Sequence, residues 1–351
     1  MGTTMAHSRR EFLKTAATTA TLASVPLAAA PLAAAAVTGE QDSAVTPDEI
    51  IDLFEPLPGD KAIKIFAPAA QGKPDFLAQF NSNKRLFVAS ADKTYVLCEA
   101  LRQADSPDII HTLDTTDLAL NSSVFSFGSP TFNQPNLTGI VSERAAMEAM
   151  ITRSDNTATD MLFKLAGADN VRKFIASAGL KNTLVPDSTR ALTAYVFGAT
   201  NYKTITWEQL QDVVHNKQKY PFLNDVETLA SSADDFVSYY SRALQGEFFE
   251  HSETLREFRR ILTLCDFIYL VPLPLGVSAY AKSGNADTEN FHARSIAGGI
   301  FFNGHWVYFA FIINWYAASQ DDPETVSQFF SAIHKSLTRL KNSLSNDGGE
   351  A

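Results

Sequence analysis

Cysteine is scarce in this 351-residue chain: Cys98 and Cys265 are the only two, too few for a disulfide scaffold. One bridge between them stays open on sequence grounds, and two buried small hydrophobes is the simpler reading. No Cys/His cluster has zinc-ligand spacing and no glycine-rich phosphate loop is present, so neither metal nor cofactor is expected. Past the first 36 residues no apolar run reaches the roughly 20 residues that a bilayer requires. Basic charge is in deficit as well. With 29 Lys and Arg against 39 Asp and Glu, the formal net charge is -10, which repels phosphate backbones and anionic membrane surfaces and argues against a nucleic-acid partner. There is no internal repeat and no Gly/Ser-rich linker. What is there, 45% hydrophobic and 19% charged residues, suffices to bury a large core and excludes whole-chain disorder.

The first 36 residues read as an address. Ser8-Arg9-Arg10-Glu11-Phe12-Leu13-Lys14 precedes a weakly apolar run rich in Ala and Thr, interrupted by Pro26 and Pro31 and ending in Ala33-Ala34-Ala35-Ala36. This resembles a twin-arginine export signal with overlapping small-residue cleavage sites. The resemblance implies passage through the twin-arginine translocase, no membrane anchor after cleavage, and a periplasmic or secreted protein. Losing Arg9, Arg10, Lys14 and Glu11 would move the net charge from -10 to -12.

Further along, Thr46-Pro47-Asp48-Glu49 combines an N-cap, a proline at the first helical position and a capping-box glutamate, predicting a short helix through Phe54. Strands are predicted over 62–67 and 76–80, a mostly helical region over 90–266, and three hairpin-connected strands over 277–282, 293–302 and 306–315. Turns are expected at Asn285-Ala286-Asp287 and Asn303-Gly304. After Asp322-Pro323-Glu324, apolar residues at Val326, Phe329, Phe330, Ile333, Leu337 and Leu340 describe a helix that lies on the sheet. The chain ends should therefore pair into one five-stranded antiparallel sheet with flanking terminal helices, an α/β fold of the α+β kind. Its catalytic domain would span 44–341, the sheet part coming from 44–89 and 267–341 and an all-helical insertion from 90–266. Residues 342–351 read as a disordered tail.

Three short motifs carry chemistry. Ser90-Ala91-Asp92-Lys93 is the only S-x-x-K of the chain and opens a buried helical stretch. At i and i+3 its hydroxyl and amine share a face, so a lysine of lowered pKa can take the serine proton. Taken alone, the same residues suit an N-capping serine and a solvated lysine. Ser154-Asp155-Asn156 falls between a Ser142-capped helix, with Ala145, Ala146, Ala149 and Met150 on one face, and a second helix after Thr157; such a triplet can present a hydroxyl and an amide, or simply cap the second helix. Lys282-Ser283-Gly284 ends a strand, where glycine permits close backbone approach and lysine supplies positive charge.

In this order the three motifs resemble the signatures of serine β-lactamases and penicillin-binding proteins, most closely the class A β-lactamases. The likeness extends over 84–102, 141–167 and 274–297, hence most of the mature chain. It implies a β-lactamase-like fold and an acylation site. Ser90 would be the nucleophile and Lys93 its general base or relay. Ser154 would pass a proton to the leaving nitrogen beside Lys282, and Asn156 would bind the acyl amide. The backbone N–H groups of Ser90 and Asn285 would form the oxyanion hole, typically about 2.7 to 4 kcal/mol per donor. Ser283, Gly284 and Arg294 would receive a carboxylate-bearing small molecule, although two extra residues separate Arg294 from the K-S-G triplet. His292, two residues before Arg294, shares its strand face, either lining the cleft or serving structurally.

The pattern departs from the family in one place. Class A enzymes carry a glutamate in an E-x-x-L-N stretch that activates the water releasing the acyl-enzyme. Residues 180–207 contain no glutamate, and their one acid is Asp187, either a surrogate base or a turn partner of Arg190. Glu208 lies in a capping pattern, Thr206-Trp207-Glu208-Gln209. The expected activity is thus an exported serine hydrolase opening a β-lactam or related amide or ester. A D-alanyl carboxypeptidase or carboxylesterase, and a penicillin-binding receptor that does not turn over, stand beside it.

Overall fold

The computed structural model describes residues 45–265, 273–288, 290–319 and 321–345; residues 1–36, read above as an export signal, lie outside them. Thr46 caps α1 (Pro47–Ile51) through a complete capping box with Glu49, and a 3-10 turn carries the chain to Phe54. β1 (Asp60–Ala67) and β2 (Phe76–Phe80) form the first hairpin. Far along the chain follow β7 (Ser278–Asp287), β8 (Phe291–Phe302) and β9 (His305–Tyr316). They join in one antiparallel sheet of order β2-β1-β9-β8-β7. β1 pairs β9 with Ile63 opposite Phe311, so the two ends of the chain close the sheet as expected. β9 is central, and its near-continuous apolar run, buried on both faces, is why it reads without alternation. Asn303 and Gly304 both take positive φ, 46° and 81°, the geometry of a tight hairpin turn that tolerates Asn-Gly best.

Between β2 and β7 lie β3 (Leu86–Phe87), α2 (Lys93–Gln103), α3 (Ile109–Thr115), β4 (Asp117–Leu120), β5 (Gly139–Ser142), α4 (Glu143–Thr152), α5 (Asn156–Ala166), α6 (Ala168–Ser177), α7 (Thr189–Val196), α8 (Trp207–Val213), β6 (Ala230–Ser231), α9 (Ala233–Ala243) and α10 (Ser252–Leu262). The insertion is therefore not all helical. β4 pairs β5, and β6 pairs β3 just ahead of the S-x-x-K turn. The terminal α11 (Pro323–Ser345) packs on the sheet: Phe54 stacks on Phe311 at 5.3 Å and meets Phe329 edge-on at 6.4 Å. Phe329, Ile333, Leu337 and Leu340 are buried, and each such side chain contributes about 1.5–3 kcal/mol.

Two further expectations are corrected. α11 runs through Ser345, so residues 342–345 are helix rather than tail; 346–351 lie outside the described residues. Asn285, Ala286 and Asp287 are not a turn but the end of β7, opposite Arg294, Ala293 and His292. Cross-strand pairing with the long β8 overrides their local turn preference. Both cysteines are free and buried, and burial pushes the Cys98 thiol up.

Candidate active site

Ser90 occupies a 3-10 turn, Ala89–Asp92, that leads directly into α2. The turn is held from both sides. Phe87 N–H donates to Asn314 Oδ1 at 2.9 Å and Asn314 Nδ2 donates to Phe87 O at 2.9 Å, so a side chain of the central strand clamps the backbone ahead of the serine. Val88 N–H donates to Leu229 O at 2.8 Å and Ser295 Oγ to Val88 O at 2.6 Å. Ala89 takes φ +46°, a left-handed conformation that costs a non-glycine residue about 1–2 kcal/mol. The clamps over-determine that strain beside the candidate nucleophile.

The K-S-G strand touches this turn. A Cβ on Gly284 would stand 2.1 Å from Val88 O and 2.8 Å from Ala91 N; only hydrogen fits there, as close backbone approach at a strand glycine requires. β7 is one of the two edge strands of the sheet, with Lys282 meeting Ser154 and Gly284 abutting the turn that holds Ser90. Residues 282 and 284 therefore face the insertion, while Ser283 and Asn285 alternate to the other face. Lys282 is fully buried, and its Nζ donates to Ser154 Oγ at 3.2 Å and to Ser283 O at 2.9 Å.

Ser154 sits between α4 and α5 with φ +55°. Ser142 caps α4. Asp155 caps α5 through Ala158 N–H at 2.8 Å and also accepts from Thr131 and Phe132 N–H at 2.9 and 2.8 Å. The acid of the triplet is thus turned inward as a brace, leaving Ser154 and Asn156 to meet Lys93. Lys93 Nζ donates to Ser154 O at 2.6 Å, Asn156 Oδ1 at 2.7 Å and Ser154 Oγ at 3.2 Å. Asn156 Nδ2 donates to Phe127 O at 2.7 Å, which sets the amide with its oxygen toward the lysine. The Ser154 hydroxyl is thereby held between two lysine nitrogens from different parts of the chain.

Burial first, and the charge of Lys282 second, pull the Lys93 ammonium down to about 7, with Asp155 pulling the other way. A lysine in that range is in part a neutral amine near pH 7, the form in which an amine can take a proton. The first turns of the helix after Ser90 leave backbone N–H groups without intrahelical acceptors, beside the open edge of β7 where Asn285 is exposed.

Arg294 is directly opposite Asn285, yet its guanidinium is occupied. Nη1 donates to Asp287 Oδ1 at 3.0 Å and Nη2 to Asp287 Oδ2 at 2.8 Å. His292, fully buried and stacked on Trp315 at 5.0 Å, binds the same carboxylate through Nδ1 at 2.9 Å. It shares the face of Arg294, in a structural setting.

Asp187 is paired with Arg172 and Lys203, the latter at 2.9 Å, rather than with Arg190. Arg190 instead donates to Ser122 O and Ile205 O at 2.8 and 2.6 Å. Burial pushes the Asp187 carboxyl up, but hydrogen bonds from Lys203 and Arg172 outweigh it and hold it below the usual range. It borders a cavity of about 540 Å³ with Lys164, Arg190, Tyr202 and Trp207. Thr206 and Gln209 form the capping box of α8, with Glu208 in its first turn.

Asp92 and Asp287 adjoin the site without a motif of their own to mark them. Asp92 is buried, and among the described residues neither carboxylate oxygen has a hydrogen-bond partner; its position inside S-x-x-K is the one sequence signal it carries. Also unforeseen was the support behind Asn156, where Asp160 accepts from Thr189 N–H at 2.6 Å and Thr189 Oγ1 at 2.7 Å, and Thr189 Oγ1 meets Ser126 Oγ at 2.7 Å.

No curated protein sequence matches the chain. Among solved structures, it is similar to the TLA-3 extended-spectrum beta-lactamase, with 17% identity and a TM-score of 0.63 over 83% of this chain and 96% of that one. It is similar to PBP-A, with 16% identity and a TM-score of 0.62 over 84% and 94%. A beta-lactamase from Chitinophaga pinensis gives 16% identity and a TM-score of 0.63 over 85% and 98%. These identities speak for a shared fold, in which the five-stranded sheet and its helical insertion are the common architecture. The profile of the Beta-lactamase enzyme family matches residues 28–336, and the chain belongs to that family.

Proposed function

We propose that this protein is an exported serine hydrolase that opens a β-lactam or a related amide or ester through an acyl-enzyme on Ser90. One observation carries the reading: the Ser154 hydroxyl lies 3.2 Å from both Lys93 Nζ and Lys282 Nζ, Lys93 being the lysine of the only S-x-x-K motif. In this scheme neutral Lys93 takes the Ser90 proton as Oγ bonds to the substrate carbonyl carbon. The carbonyl oxygen gains charge and is met by the N–H groups of Ser90 and Asn285. Ser154 then hands a proton to the leaving nitrogen as the C–N bond breaks, resupplied from the Lys93 ammonium, while Lys282 stabilises the transient alkoxide. Asn156 receives the acyl amide, and Ser283 and Gly284 line the strand along which the substrate lies. No step calls on a cofactor. The leader in residues 1–36 supports export by the twin-arginine route to the periplasm or beyond.

A second reading has its own support. With no glutamate in 180–207 and Asp187 engaged by two cations, water activation is less well provided than acylation, which favours a slow-releasing penicillin-binding protein or an esterase on the same fold. The test follows a fluorescent penicillin and a chromogenic cephalosporin together. Turnover lost in Ser90→Ala supports the hydrolase, and stable stoichiometric label without turnover supports the receptor. Cleavage of a p-nitrophenyl ester alone supports the esterase. If Ser90→Ala alters none of the three, the nucleophile assignment is wrong.

A further inference from the structure

The pair formed by Asp287 and Arg294 bears on what this site accepts, taking the cleft beside Ser90 as the reaction site. Ser283, Asn285 and Asp287 alternate onto one face of the edge strand, and Arg294 stands opposite Asn285 on the neighbouring strand, about 5 Å away between Cα atoms in such a ladder. A guanidinium there is the natural receptor for an anionic group on a bound molecule. In this chain the fork is filled from within. Both Asp287 oxygens accept from it, at 3.0 and 2.8 Å, while Nη1 also reaches Ala286 O at 3.3 Å and Ala293 O at 2.8 Å.

Nor is the carboxylate free to swing away. His292 holds Oδ1 from a fully buried position, and the guanidinium carbon lies 5.8 Å from the Trp315 ring that His292 stacks on. The side chains of Arg294 and Asp287 are only 14% and 22% exposed. An incoming carboxylate would have to displace a neutralised, sheltered pair and then face the Asp287 charge, a repulsion weakly screened at such burial. An uncharged group meets no such penalty.

We propose that Asp287 is a specificity-determining residue: by occupying the fork of Arg294 it makes the cleft edge beside Asn285 favour acyl donors that are uncharged at that position, esters or amides, over those bearing a carboxylate.

The matched probes are benzylpenicillin and its methyl ester, with equilibrium binding read by calorimetry in the full chain carrying Ser90→Ala, where no acyl-enzyme forms. In that background the ester is expected to bind at least as tightly as the acid. Adding Asp287→Asn should tighten the acid tenfold or more and leave the ester within twofold. Adding Arg294→Gln as well should cancel the gain. Asp287→Ser serves as a second replacement, and circular dichroism establishes that each variant is folded. An acid-to-ester ratio within twofold of the Asp287 protein in both folded replacements overturns the proposal. So does a gain that survives loss of Arg294, or no binding of either compound to any variant. Because the ratio is read without acylation, its failure is distinct from failure of the Ser90 assignment, which the covalent label tests in the unsubstituted protein.

Discussion

Lys282 Nζ lies 3.2 Å from Ser154 Oγ, on a hydroxyl that Lys93 meets at the same distance. Two buried ammonium groups around one oxygen repel each other, and the repulsion is relieved when one is neutral. Lys93, drawn to about 7 by burial and by this neighbour, is the group that yields. The arrangement couples the K-S-G strand to the basicity of the S-x-x-K lysine, although the two are 189 positions apart in sequence.

The acylation rate should therefore rise with pH through about 7 as Lys93 loses its proton. Lys282→Met removes a cause of the lowered pKa, so the rising limb moves to higher pH and the rate at pH 7 falls by about 100-fold, in the range of lost acid–base assistance. Stopped-flow labelling with a fluorescent penicillin between pH 5 and 9 reads this. A limb that stays in place would break the proposed coupling.

Gly284 gives a second outcome. Its Cβ position is 2.1 Å from Val88 O and 2.8 Å from Ala91 N, both backbone atoms that no rotamer change can move aside. Gly284→Ala must push β7 off the S-x-x-K turn. Overpacking of this kind costs about 1–3 kcal/mol, and a displacement near 1 Å slows acylation by about 100-fold. Urea denaturation and labelling kinetics measure the two effects; normal acylation in the variant would show that the strand does not set the site.

Asp92 should be a liability for stability. Burial holds its carboxyl well above the ordinary range, against the opposing charges of Lys93 and Lys282, and neither oxygen has a hydrogen-bond partner among the described residues. Below the unfolded pKa both states carry the proton. As pH rises past it, the unfolded chain ionises while the folded one resists, so stability falls with pH. Asp92→Leu is expected to stabilise by about 1–3 kcal/mol at pH 7 and by less at pH 4, measured by urea denaturation at both. Equal stability of the two proteins at pH 7 would mean the carboxyl is satisfied in solution.

Much of the site was legible because each motif keeps its serine, lysine or amide within a few residues of a helix cap or strand end, where local geometry fixes direction. The five-stranded sheet was legible for a similar reason: β8 and β9 are long apolar runs with one unmistakable turn, Asn303-Gly304. What escaped depended on partners distant in sequence or on pairing that outweighs local preference. Asp287 looks like a turn residue until pairing with β8 carries β7 on from Lys282 to Asp287. Asp92 looks like a solvated first-turn acid until β7 covers it. Asp187 has Arg190 as its near neighbour in sequence, but its cations come from Arg172 on α6 and Lys203 after α7.

That last pairing decides what Asp187→Asn should do. A carboxylate held below its usual range by Lys203 and Arg172 is a weak base, and its contribution to stability is present at neutral pH and lost as pH falls through its folded pKa. Its side chain is 30% exposed and those of Arg172 and Lys203 are 37% and 60%, so solvent screening limits the pair to about 1 kcal/mol or less. Asp187→Asn is expected to lower Tm by about 2–4 °C at most, while single-turnover acylation and the release of label both stay within twofold. The melting difference should vanish toward pH 3. A variant that acylates normally but traps the label would make Asp187 the base that frees the acyl-enzyme, and the ion pairs would then be the device that holds it in place.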